Sequence, residues 1–215
     1  MNRAHHSSHP DVPRMLARMS FGPRWAALAA LTATLVAAAA AVLVLAREHP
    51  RLVWDSFFEV KPGALYRSGQ LDLGQLEAAI HRYRLRTIVN LCEGGVDFIP
   101  ERDLCRRRRV RFVSLPMPGN GMGDARRFQD WLAVAGDPAA RPLLVHCASG
   151  SYRTGAAIAL YRLKYDGWLL PDVVAEMRRH GYRPDDGKGD LISHVLSIWR
   201  EEVQLARHTL AGPRT

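Results

Sequence analysis

The sequence predicts an α/β domain with a central, mainly parallel sheet flanked by helices, preceded by one N-terminal transmembrane helix. Three observations carry this prediction. From about residue 52 onward, short apolar runs alternate with longer stretches of helical periodicity, the pattern of a parallel sheet with helical crossovers. The runs TIVNLC (87–92), VRFVSLP (110–116) and PLLVHC (142–147) have strand length and strand composition. Ahead of them stand 22 uncharged residues, Trp25 to Ala46.

Taken in chain order, residues 1–24 read as a basic, disordered tail with three early histidines. Residues 25–46 read as a transmembrane anchor, or as a signal segment with small residues near Ala46 for cleavage. At 1.5 Å per residue this helix matches a hydrocarbon core of about 30 Å. Arg3, Arg14, Arg18 and Arg24 precede it against the single acid Asp11, whereas Arg47 and Arg51 beyond it are balanced by Glu48 and Asp55. That asymmetry places the N-terminus in the cytoplasm and the rest of a single-pass chain outside it, on the periplasmic side in a Gram-negative cell. The alternative is a cytoplasm-facing domain.

The globular part, 52–208, opens with LDLGQLEAAIHRYR, whose Leu73, Leu76, Ala79, Ile80 and Tyr83 share a helical face. The strand TIVNLC follows and ends in a Glu-Gly-Gly turn. FIPERDLCRRRR reads as a helix with Pro100 in its first turn, and VRFVSLP as a strand broken by Pro116 and Pro118. ARRFQDWLAVA is helical and PLLVHC is the third strand. TGAAIALYRLKYDG is a helix closed by Gly167, and PDVVAEMRRHG and LISHVLSIWREEVQLARH supply two more.

Composition narrows the chemistry. Thirty Lys and Arg give a formal net charge of +9, which favours anionic partners. Three cysteines, Cys92, Cys105 and Cys147, do not make a disulfide scaffold but leave room for one reactive thiol. The nine histidines show no ligand spacing with cysteine or acid, so no metal or other cofactor is expected. The run Arg106–Arg109 reads as a solvated helix end that complements the helix dipole. No aromatics interleave with it, so nucleic acid is not an expected partner.

The stretch VHCASGSYRTG, 145–155, concentrates the chemistry. Cys147 lies at the carboxyl end of a strand, where ligands of open α/β sheets bind. The loop Ala148, Ser149, Gly150, Ser151, Tyr152 must turn tightly into the next helix, and Gly150 permits angles other residues resist. Amides of such a loop, aided by the helix dipole, form a cradle for a tetrahedral oxyanion. Arg153 adds a planar fork for two phosphate oxygens. The same field favours the thiolate of Cys147. A thiolate beneath a cradled phosphate is placed for in-line attack on phosphorus, giving a phosphocysteine that water hydrolyses. Thr154 can donate to the sulfur as it leaves, and His146 can fix the loop by bonding backbone groups.

HCASGSYRTG resembles the signature of the cysteine-dependent protein tyrosine phosphatases, and the small size is similar to the dual-specificity branch. GALYRSGQL (63–71) and TIVNLC resemble the N-terminal part of small bacterial and fungal members, so the likeness runs over roughly residues 57–200. The resemblance implies that Cys147 is the nucleophile, that Arg153 binds the phosphoryl group and that the backbone from Ala148 to Tyr152 completes the cradle. It also implies a redox partner: a similar Asn-Leu-Cys run in a phosphoinositide phosphatase of this superfamily traps the oxidised nucleophile as a disulfide, a role that falls here on Cys92.

The general acid is less plainly written. Where many members carry an aspartate, this chain has Gly119 and Asn120. Asp124 is the acid of that loop and the candidate proton donor, with an N-cap as its rival role. Asp97 and the pair Asp185 and Asp186 are the alternatives. Arg67 of LYRSGQ can approach the phosphate from the side or simply pair with a carboxylate. Three functions compete: a membrane-anchored phosphotyrosine or dual-specificity protein phosphatase, a phosphatase for a lipid or inositol phosphate, and a phosphate-binding module without turnover.

Overall fold

The computed structural model describes residues 23–48, 56–94 and 98–211. The expected disordered tail up to residue 22 and the acid candidate Asp97 lie outside the described residues. The chain divides into two units at Glu48. The first contains helix α1, Pro23–Glu48. Its described side chains, residues 27–43, are exposed, among them Leu31, Leu35, Val36 and Val42. Among the described residues no helix is both long and apolar enough to cross a membrane.

The second unit is the α/β domain. Its strands are β1 (Phe58–Lys61), β2 (Leu65–Ser68), β3 (Thr87–Asn90), β4 (Arg111–Ser114) and β5 (Leu143–His146). They form one mixed sheet in the order β1-β2-β5-β3-β4. Only β1 runs antiparallel, against β2 at the edge; the other pairings are parallel. The three expected strands are β3, β4 and β5, while β1 and β2 come from a stretch the sequence did not mark as strand. All four residues of β2, β3 and β5 are buried, as expected of parallel strands covered on both faces.

The helices are α2 (Leu73–Tyr83), α3 (Ile99–Arg108), α4 (Ala125–Gly136), α5 (Tyr152–Tyr161), α6 (Leu170–Arg179) and α7 (Leu191–Ala211). Alternation along the strands sends neighbouring residues to opposite faces. Tyr66, Ile88 and Leu144 pack with Leu76, Ala79 and Ile80 of α2 and with Leu104 and Cys105 of α3. Leu65, Val89 and Val145 pack with α4, α5, α6 and α7 through Phe128, Trp131, Ile158, Val173 and Val195. Central to that layer is α5, in which Ala156 to Tyr161 are all buried. The Trp131 indole donates to the Ala157 carbonyl at 2.7 Å and fixes α4 on it.

Local chemistry ends the helices where the sequence suggested. Asp72 caps α2 in a capping box with Gln75. A π-helical turn, Arg162–Asp166, extends α5 until Gly167 closes it at φ 65°. Arg106 and Arg108 at the end of α3 are exposed and paired with Asp103 and Glu77, a solvated helix end as expected.

Register places the site. Ser68, His146 and Asn90 are paired neighbours across β2, β5 and β3. Three carboxyl ends therefore stop level with one another, and Cys147 follows the middle one.

Candidate active site

The loop from Cys147 to Ser151 runs from β5 into α5. The Cys147 side chain is buried at its base, whereas Ala148 and Ser149 are exposed. Gly150 adopts φ 76°, and a Cβ on it would lie 2.9 Å from the Ser68 carbonyl and the Gly69 nitrogen. Only glycine fits, both for the backbone angle and for the close approach to β2. The Ala148 carbonyl accepts from the Gln70 amide at 2.9 Å, and the Gly150 carbonyl accepts from Arg67 Nη2 at 2.6 Å. These bonds tie two loop carbonyls to the end of β2, while the Ser151 amide donates to Ser149 Oγ at 3.3 Å and the Ala148 amide bears on the Cys92 sulfur. Arg153 and Thr154 occupy the first turn of α5, and Arg153 Nε and Thr154 Oγ1 are buried without a partner among the described residues. Unpartnered buried donors around one loop are what an anion site requires.

Two further loops wall this region. In the loop before α4, Gly121 has φ 85°, and a Cβ there would sit 2.9 Å from the Tyr152 backbone. Asn120 folds its side chain back to accept from the Met122 amide at 3.0 Å. On another side, the Tyr152 hydroxyl donates to Asp186, and Lys188 Nζ sits 4.1 Å from the Tyr152 ring centroid and 3.0 Å from Asp186. The Tyr152 and Lys188 hydrogen bonds hold the Asp186 carboxyl below its ordinary range. A Cβ on Gly181 would meet Ser151 Oγ at 2.7 Å, so this segment also lies close on the loop from Cys147 to Ser151.

Asp124 is the N-cap of α4, and its Oδ1 accepts from the Arg127 amide at 2.8 Å. The rival role named for it is thus present in the structure. His146 differs from expectation. Rather than bonding the loop backbone, its Nε2 meets Glu101 Oε1 at 2.7 Å, with both side chains buried. The reason is α3, whose first turn carries Glu101 under the strand ends. Glu101 Oε2 accepts from Asn90 Nδ2 at 2.8 Å, and Asn90 Oδ1 accepts from the Cys92 amide at 2.8 Å. Burial alone would raise the Glu101 carboxyl. The bonds from His146 and Asn90 outweigh it and hold the group below its usual range.

Cys92 lies two residues beyond Asn90, buried, at the same sheet edge as Cys147. Burial pushes its thiol up to about 11, against the opposing pull of Arg153; Cys147 and Glu101 add to the rise. Cys92, Cys105 and Cys147 are free thiols.

Sequence reasoning missed Glu101 and Asn90 and left Arg67 undecided. Glu101 reads in the sequence as an ordinary acid in a helix first turn, and only its burial reveals its partners.

Comparison with known proteins agrees with this geometry. Residues 59–179, more than half of the chain, match the family model described as DSP-PTPase phosphatase fused to NAD+ kinase. The dual specificity protein phosphatase TpbA of Pseudomonas aeruginosa is 30% identical over 142 residues, 66% of this chain and 62% of TpbA. The inositol diphosphatase DSP1 of Oryza sativa subsp. japonica is 30% identical over 128 residues, 57% of this chain and 55% of that protein. The chain therefore spans less than two thirds of the length of these relatives. The core catalytic domain of the PP-IP phosphatase SIW14 from S. cerevisiae superposes with a TM-score of 0.61 at 21% identity, covering 70% of this chain and 90% of that domain. With a thiol at the base of a glycine-bent loop, an arginine on the helix that follows, and the family match over both, the chain belongs to the small dual-specificity branch of the cysteine-dependent protein tyrosine phosphatases.

Proposed function

We propose that this chain hydrolyses phosphomonoesters through a phosphocysteine, with phosphotyrosine-type phosphoprotein as its substrate class. The observation that carries the reading is the placement of Cys147 at the carboxyl end of β5, beneath a loop whose outward carbonyls are tied to Arg67 and Gln70. The thiolate of Cys147 attacks phosphorus, and the bond to the leaving oxygen breaks. That oxygen takes a proton from an acid, and water then cleaves the sulfur–phosphorus bond to release phosphate. Amides from Ala148 to Tyr152 and the Arg153 guanidinium hold the phosphoryl oxygens. Asp124 supplies the proton from the loop before α4, and Thr154 assists departure of the sulfur.

A second substrate class, inositol or lipid phosphate, is favoured by the names of two of the similar proteins, an inositol diphosphatase and a PP-IP phosphatase, and by the net charge of +9. A phosphate-release panel of phosphotyrosine peptides, phosphoserine peptides and inositol phosphates decides between them. Cys147→Ser should abolish turnover of p-nitrophenyl phosphate while phosphate still binds, and Arg153→Lys should be severe because an ammonium lacks the bidentate fork. Turnover above a few per cent in Cys147→Ser would refute the mechanism. Wild type that binds phosphate without turnover would leave the binding-module reading.

The proposal extends to the stretch 25–46 as a membrane anchor, although among the described residues no helix is by itself long and apolar enough to cross a membrane. Its support is the uncharged stretch from Trp25 to Ala46 and the absence of a polar face among its described side chains; a helix apolar on all sides has no face suited to water. The arginine excess before Trp25 supports an extracytoplasmic catalytic domain.

A further inference from the structure

Arg67 is an arginine inside a buried parallel strand, 1% exposed. Burying a guanidinium is costly unless a carboxylate or several acceptors compensate it. Its Nη2 reaches the Gly150 carbonyl, while Nε and Nη1 have no partner among the described residues. The carboxylate that bears on it, Glu176 of α6, is already engaged by Arg162, with Nη2 to Oε1 at 2.8 Å and Nε to Oε2 at 3.2 Å. The other groups that bear on the Arg67 and His180 sites are Arg162 in the π-helical turn, His180 after α6, Arg179, and the Cys147 thiol. Burial lowers Arg67 to about 10, opposed by Glu176 and Cys147, so it remains a cation at neutral pH.

The loop needs a group of this kind. Amides can converge on an anion only if the intervening carbonyls turn outward, and a buried carbonyl turned outward needs a donor. Arg67 supplies one for Gly150, and the Gln70 amide supplies one for Ala148. The close seating of Gly150 on Ser68 and Gly69 leaves no slack between the loop and this strand end. The charge of Arg67 is not neutralised by a side-chain hydrogen bond to an acid, so it acts through the loop it holds.

We propose that Arg67 is a positioning residue of the active site: it clamps the phosphate loop through the Gly150 carbonyl and sets a buried positive charge behind it, which stabilises the Cys147 thiolate and the phosphoryl group. This rests on the phosphatase reading above. Arg67→Met and Arg67→Lys separate the two contributions, since methionine removes both charge and clamp, while lysine keeps the charge on a side chain one bond shorter than the reach of Nη2 to the Gly150 carbonyl.

The full chain in detergent is assayed for thermal melting, for kcat and KM on p-nitrophenyl phosphate, for inorganic phosphate affinity, and for the pH profile of Cys147 alkylation by iodoacetamide, read by mass spectrometry. In Arg67→Met, Cys147 alkylation at neutral pH should slow, and phosphate affinity should fall about 10-fold, the order of worth of one hydrogen bond to a charged group. Arg67→Lys should restore most of the alkylation profile but not the phosphate affinity. Unchanged alkylation and phosphate affinity in an active background, with only the melting temperature altered, would reduce Arg67 to a structural residue. If Arg67→Met does not fold, Arg67→Lys decides, and wild-type phosphate affinity in it overturns the clamp. Wild type that neither binds phosphate nor turns over p-nitrophenyl phosphate would overturn the phosphatase reading and this inference together.

Discussion

At the scale of single residues, Asp124 caps α4 and is the proposed proton donor, and substitution can separate the two. Asparagine caps a helix about as well as aspartate, so Asp124→Asn preserves the bond from the Arg127 amide while removing the acid. It should leave melting temperature and aryl phosphate turnover near wild type and cost about 10²-fold on an alkyl phosphate, whose leaving group needs the proton. Asp124→Ala should in addition lose about 1 kcal/mol of stability with the cap. Equal rates of Asp124→Asn and wild type on both substrates would move the acid elsewhere, with Asp186 beside Tyr152 tested next. Cys92 has its own expectation. Peroxide should convert the Cys147 thiolate to a sulfenic acid, from which the Cys92 thiol should displace water to form a disulfide. Because burial holds Cys92 protonated up to about 11, trapping should be slow at neutral pH and faster in alkali. After peroxide and then dithiothreitol, wild type should recover activity and Cys92→Ser should recover poorly; equal recovery, with no Cys92–Cys147 peptide by mass spectrometry, would refute the pairing.

At the scale of elements, Glu101 joins three of them. From α3 it holds His146 at the end of β5 and Asn90 at the end of β3, the two strand ends that lead into Cys147 and Cys92. Because its carboxyl is depressed in the folded protein, its contribution is present above the unfolded value of about 4.3 and is lost as pH falls through the folded value. Glu101→Gln should cost about 2 kcal/mol at neutral pH, the worth of hydrogen bonds to a charged group, and the deficit should shrink below pH 4. Urea unfolding at pH 7 and pH 3.5 measures this, and a deficit independent of pH would show that the carboxylate charge is not what the strand ends depend on.

At the scale of the whole molecule, the prediction concerns the segment before the domain. The chain should fractionate with membranes and resist carbonate extraction, while a chain lacking residues 1–51 should be soluble. A phosphatase reporter fused after Thr215 should be active in the periplasm, as the arginine asymmetry around Trp25–Ala46 implies. A soluble full-length chain would remove the anchor, and a reporter active only in the cytoplasm would reverse the topology.

The strands β3, β4 and β5 and the helices α2 to α7 were legible in the sequence, because their apolar periodicity is set by local chain geometry. So was the family signature around Cys147 and Arg153, because cysteine, glycine and arginine lie within seven consecutive residues, 147–153. Strand β2 was not legible, since LYRS places an arginine and a serine where a buried strand calls for apolar residues. That departure from the local pattern falls on the residue that donates to the Gly150 carbonyl. Strand β1 escaped for a simpler reason: it is an edge strand of four residues, two of them exposed. Glu101, Asn90 and His146 lie 11 and 45 residues apart in pairs, and no spacing rule connects them. The sequence by itself determined the loop that marks the family and carries the candidate nucleophile, because such a loop is a local object. Only the tertiary structure decided what holds that loop, because a buried charge is given its partners by strands and helices that meet after the chain has folded.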